Sequence, residues 1–153
     1  MLNIRNRVEV IIYNTHLAKV LVAYWKKQDE DVAVFPGGGI EENESVEEAT
    51  IKECLEEVGI RVKDVVVLTK GPIKPIPDND LQAQTKYRGD QTIYVAARFS
   101  DRDYSKYNCE GDAMPFTWET PLAAAALVNS SSFDGFHRAQ AMRDFIMKRL
   151  IPT

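Results

Sequence analysis

Apolar and polar residues change rhythm several times along the chain, and each rhythm predicts an element. "VEVIIYN" (Val8 to Asn14) and "AKVLVAYW" (Ala18 to Trp25) are rich in β-branched and aliphatic residues, with Thr15, His16 and Leu17 between them, which predicts two paired strands. A charged turn, "KKQDED", precedes "VAVF", a third strand that runs into Pro36 and the glycines Gly37 to Gly39. Such a loop can lie close to a ligand.

A helix is expected from Ser45. Ser45 and Glu48 form a capping box, and Gly59 supplies a left-handed stop. "IRVKDVVVL" reads as another strand, and residues 69 to 90, with Pro72, Pro75 and Pro77, read as a long loop. In "QTIYVAARFS" the alternation puts Ile93, Val95, Ala97 and Phe99 on one face and Tyr94, Ala96 and Arg98 on the other. "AMPFTWETPL" predicts a short strand leading into a helix with proline near its start. In the last segment Phe136, Ala139, Met142, Phe145, Ile146 and Leu150 fall at helical spacing, which predicts an amphipathic helix packed on the sheet. Without a repeat or linker, this mixed order predicts one α/β sandwich spanning 1–153.

Charge changes the picture at one place. Between Glu41 and Glu57 lie eight acids and a single base, Lys52, while the remainder, with 15 acids against 18 bases, is mildly positive. At about 100° per residue, Glu53, Glu56 and Glu57 share one face of the predicted helix. Ile51, Cys54, Leu55 and Val58 occupy the opposite, core-facing side. A solvated face is the simple explanation of the glutamates. Yet like charges three and four residues apart destabilise a helix. Beside a glycine loop offering main-chain carbonyls, they are also the hard oxygen ligands that a divalent cation takes together with phosphate oxygens.

The overall composition, 44% hydrophobic and 27% charged, excludes disordered and fibrous classes. The longest apolar run, "PLAAAALV", is too short to span a bilayer, and "MLNIRNRVEV" does not read as a secretory signal, so a cytoplasmic protein is expected. Cys54 and Cys109 make neither a disulfide framework nor a zinc pattern, and His16 and His137 form no constellation. The concentrated acidic segment argues against general nucleic-acid binding and suits a small anion bridged by metal.

The stretch Gly38 to Ile60 closely resembles the signature of the Nudix hydrolases, Gly-x5-Glu-x7-Arg-Glu-U-x-Glu-Glu-x-Gly-U with U aliphatic. Gly38, Glu44, Glu53, Glu56, Glu57 and Gly59 all stand at the required spacing. Lys52 replaces the usual arginine, keeping the charge but losing the bidentate fork. Cys54 replaces an aliphatic residue and Asn43 a common glycine.

The resemblance implies an α+β fold, the α/β/α sandwich with a mixed sheet between helices. It implies metal-dependent hydrolysis of a nucleoside diphosphate linked to another group. Glu53, Glu56 and Glu57, with the main-chain carbonyl of Gly37, would ligate magnesium (Mg2+) or manganese (Mn2+). Gly38 and Glu44 would brace the loop, and Lys52 would orient Glu53, itself the candidate base. Glu110 and Asp112 are candidates for an extra carboxylate, although each also suits an ordinary turn. Tyr87 and Arg88 are candidates to stack on a base and hold a phosphate, although a solvent role suits them equally.

Pro75 resembles a feature of ADP-ribose pyrophosphatases, so an ADP-ribose-like substrate is expected. Dinucleoside polyphosphates, nucleotide sugars and nucleoside triphosphates are the alternatives. A non-catalytic nucleotide-binding module is the competing class, kept open by Lys52, and RNA decapping ranks lower because no basic strip with interleaved aromatics is visible. The family's homodimers make self-association an expectation, but no surface in the sequence fixes it.

Overall fold

The computed structural model describes residues 2–27, 30–101, 115–130 and 134–151. Its strands are β1 (Asn3–Asn14), β2 (Lys19–Lys27), β3 (Glu30–Val34), β4 (Gly37–Gly39), β5 (Lys63–Lys70), β6 (Tyr87–Arg98) and β7 (Phe116–Glu119). Its helices are α1 (Val46–Val58), α2 (Leu81–Lys86), α3 (Pro121–Asn129) and α4 (Gly135–Met147).

The first two strands pair as the sequence predicts, but only at their ends, Tyr13 with Val20 and Asn14 with Lys19. Buried Asn14 closes the turn by accepting from the backbone N–H groups of His16 and Leu17. Beyond it the two strands part. β1 runs parallel to β6 along its length and takes the glycine strand β4 on its other side, while β2 pairs with β3 and β7. The path β3-β2-β1-β6-β5 is therefore a mixed sheet.

Period-2 alternation divides the core into two. Val8, Val10, Ile12, Val95 and Ala97 face a cluster with Ala49, Cys54 and Val58 of α1. Ile11, Tyr13, Tyr94 and Ala96 face the other side, against Ala124 and Val128 of α3 and Met142 and Phe145 of α4. Helices thus cover both faces, and the predicted split of β6 is the one observed.

Three local expectations need correction. The segment read as a loop from 69 to 90 contains α2, and β6 already begins at Tyr87. Asp80 caps that short helix by accepting from the Ala83 N–H, and Arg5 binds both Asp80 and Asp90 at 3.0 and 2.7 Å, a tertiary tie invisible to local periodicity. The bond from Arg5 holds the Asp80 carboxyl below the usual carboxylate range. In α1, Leu55 is exposed, whereas Thr50 is buried, its hydroxyl donating to the Val46 carbonyl. In α4, Phe136 points to solvent and Arg138 takes a place on the buried stripe.

Among the described residues no helix is long and apolar enough to cross a membrane.

Candidate functional site

The acidic helix starts and stops where its caps dictate. The Ser45 hydroxyl accepts from the Glu48 N–H at 3.0 Å. Gly59, at φ 69°, donates to the Leu55 carbonyl while Ile60 donates to that of Cys54, the paired closure that a left-handed glycine permits. These caps fix the phase of α1, and the cores of Cys54 and Val58 fix which way its glutamates turn.

The glycine strand lies against this helix by necessity. A Cβ at Gly37 would sit 2.0 Å from the Val8 carbonyl oxygen, and one at Gly38 would sit 2.3 Å from the Glu53 side-chain carbon. Gly37 is thus closed by backbone, Gly38 only by the movable end of Glu53, and the Gly37 N–H donates to Glu57 at 3.2 Å. Glu53 and Glu57 are partly buried, and Glu56 is exposed. Loss of water raises the Glu53 carboxyl, opposed by Lys52 and reinforced by Glu56, Glu57 and Glu44. Burial likewise raises Glu57, against the Gly37 N–H bond and the charge of Arg7.

Lys52 sits 2.9 Å from Glu44 and 3.8 Å from each of Glu53 and Glu41. Glu44 also accepts from the Glu41 N–H, so it spans loop and helix. The bond from Lys52 holds Glu44 below the usual carboxylate range, and the same bond raises the lysine.

Beside Gly37 and Glu57 opens a cleft of about 470 Å³, bordered by Arg7 and Glu9 of β1, Thr92 of β6 and Trp25 of β2. Val34 from the α1 side and Phe35 from the α4 side also border it, which places it along the seam where β1 parts from β2. Its wall holds a buried ion pair, Arg138 Nε to Glu9 Oε1 at 2.6 Å, with a second contact to Oε2 at 3.3 Å. Sequence reading passed over both residues. Glu9 was nonetheless signalled by a charge inside an apolar strand, and Arg138 by a charge three and four places before the buried Ala141 and Met142.

A family model for the NUDIX domain matches residues 3–133. The chain belongs to the Nudix family. The RNA pyrophosphohydrolase of Pasteurella multocida (strain Pm70) is 41% identical over 64 residues, 42% of this chain and 31% of that protein. The chain therefore covers about a third of that relative's length. The E. coli dihydroneopterin triphosphate pyrophosphohydrolase superposes with a TM-score of 0.64 at 19% identity, covering 97% of this chain and 99% of that one. A solved ADP compounds hydrolase gives 0.65 at 19%, covering 95% and 72%. At that identity the likeness concerns the fold, the Nudix α/β/α sandwich.

Nudix hydrolases generally use divalent metals and act on small nucleotide substrates. Among the described residues no three carboxylate, imidazole or thiolate side chains enclose an ion-sized space. The donor set still fits a hard divalent cation: carboxylates beside a glycine backbone suit an ion that keeps several waters and needs no all-protein cage. Tyr87 stands at the far end of β6, with Arg5 5.8 Å from its ring centre, and neither it nor Arg88 borders the cleft. Glu110 and Asp112 lie outside the described residues.

The two glycines predict different failures. Gly37→Ala drives a methyl into backbone that cannot yield and is expected to cost about 1–3 kcal/mol of stability. Gly38→Ala meets the end of a flexible side chain, so stability should hold while Glu53 is displaced and manganese affinity drops. Thermal denaturation and a manganese titration on both variants separate the two.

Proposed function

We propose that the protein is a divalent-metal-dependent pyrophosphohydrolase acting on a nucleoside diphosphate linked to another group, with an ADP-ribose-like compound as the preferred substrate. The observation that carries this reading is a pair of desolvated carboxylates, Glu53 beside Gly38 and Glu57 bonded to Gly37, with Glu57 and Gly37 bordering a nucleotide-sized cleft. Glu53, Glu56, Glu57 and the Gly37 carbonyl would hold magnesium or manganese, and Glu44 and Lys52 keep loop and helix in register around them. A bound cation supplies charge neutralisation at the phosphate oxygens and a more acidic water. Glu53 would take the proton as water adds to one phosphorus and the P–O–P bridge breaks, releasing two phosphate products. The substrate class rests on Pro75, the position at which this chain resembles ADP-ribose pyrophosphatases.

A second reading has its own support: the Pasteurella relative is an RNA pyrophosphohydrolase. Incubation with ADP-ribose and, separately, with a 5′-triphosphorylated oligonucleotide decides between them. AMP from the first is expected; pyrophosphate released from the second alone would move the assignment to RNA ends.

Metal binding has a pH signature. Carboxyls raised by burial contribute stability only while protonated, so above their folded-state pKa the protein bears the repulsion that a cation relieves. At neutral pH, manganese at a hundredfold excess over its Kd should add about 2.7 kcal/mol, a rise of about 5–10 °C in Tm. Near pH 4 the gain should vanish. Differential scanning fluorimetry at both pH values checks it.

A further inference from the structure

We propose that the cleft beside Gly37 and Glu57 is the nucleotide-holding half of the site, with the Trp25 ring carrying the base and the Arg7 guanidinium holding a phosphate oxygen. This deepens the functional reading above and rests on it.

Two arginines reach the cleft, and their situations differ. Arg138 is buried and its charge is met by Glu9 at 2.6 Å, so it serves as a wall. Arg7 lies two residues before Glu9 on the same face of β1 and is exposed, and its guanidinium makes no hydrogen bond or ion pair among the described residues. It pairs in register with Thr92, which adds a hydroxyl to the same stretch of wall. Its positive charge is felt at Glu57, so it stands close to where the carboxylates would gather metal and pyrophosphate. A guanidinium facing a concavity beside anionic chemistry offers several donors in a fork that matches phosphate oxygens.

Trp25 supplies the other half. It is 55% exposed, an unusual outlay of apolar surface, and it is one of the residues that line the cleft. An aromatic face there accepts any base by stacking. The cleft's volume falls within the usual range for small-ligand sites, about 300–1,000 Å³. Base contact at Trp25 and phosphate contact at Arg7 would place the anhydride at Gly37 and Glu57, between them and α1.

The test reads binding apart from turnover. The chain has two tryptophans, and Trp118 is stacked on Phe99 away from the cleft, so Trp118→Phe leaves Trp25 as the sole reporter. AMP and ADP titrated in EDTA should quench its fluorescence saturably. Arg7→Ala should weaken that binding about tenfold, with partial recovery in Arg7→Lys. In the protein with both tryptophans, Trp25→Ala should raise KM for hydrolysis about tenfold with kcat within about threefold. Unchanged Tm values would show that the variants fold. Absence of saturable quenching, or an Arg7→Ala protein that binds like its parent, overturns the inference even if hydrolysis is normal. Quenching that depends on Arg7 in a protein hydrolysing no pyrophosphate would sustain the inference and discard the enzymatic reading.

Discussion

Glu57→Gln is expected to lower kcat at least about a hundredfold while leaving the protein as stable as before, or more so. The loss follows from the several kcal/mol that metal-borne charge stabilisation contributes to such reactions, with each 1.36 kcal/mol worth a factor of ten. The gain follows from the structure. Burial raises the Glu57 carboxyl, so the charged form is a cost to the metal-free fold, and glutamine removes the charge while its carbonyl can still accept from the Gly37 N–H. Activity and stability should therefore move in opposite directions, as at sites kept strained for function. A variant that lost activity by unfolding would show a lowered Tm and would not support the assignment. Steady-state kinetics and a melting curve on one preparation suffice.

The second large effect is on folding. Glu9→Ala should destabilise the protein by about 3–5 kcal/mol, because it removes the carboxylate that meets the buried Arg138 guanidinium at 2.6 Å. For a chain of this size that corresponds to a fall in Tm of about 6–20 °C. The pair itself is not thereby shown to be stabilising. Replacing both partners, as Glu9→Leu with Arg138→Met, should restore most of the loss, since apolar substitutes for a buried ion pair are often neutral or better. If the double variant recovers stability but not activity, the pair is retained for the shape and polarity of the cleft. Urea denaturation of the three proteins gives the comparison.

Much of this architecture was readable from sequence because it is locally encoded. Ser45, Glu48 and Gly59 bound α1 by short-range capping, the alternation in β6 assigns each side chain its face, and Thr120 with Pro121 starts α3. The glutamates and glycines of the signature are spaced along one helix and one loop, so their proximity needs no tertiary knowledge.

What escaped was made by distance. α2 is only six residues long and is tied down by Arg5, 75 positions from Asp80. Glu9 and Arg138 are 129 positions apart. Thr50 enters the core because its hydroxyl is satisfied within its own helix, which a hydrophobicity pattern does not record. The cleft was missed for the same reason. Arg7, Trp25 and Thr92 come from three strands, and nothing in their local sequence relates them, whereas Tyr87 and Arg88, chosen for residue type alone, stand elsewhere on the sheet.

If gathered carboxylates, metal and pyrophosphate belong together, hydrolysis must depend on an added cation. The protein is incubated with ADP-ribose, dinucleoside polyphosphates, nucleotide sugars, nucleoside triphosphates and 5′-triphosphorylated RNA, in magnesium, in manganese and in EDTA, and products are separated by ion-exchange chromatography. Cleavage is expected at a pyrophosphate bond in one substrate class, with AMP from ADP-ribose, dependent on the added cation. Full activity in EDTA, or no cleavage of any class in either metal, would contradict it.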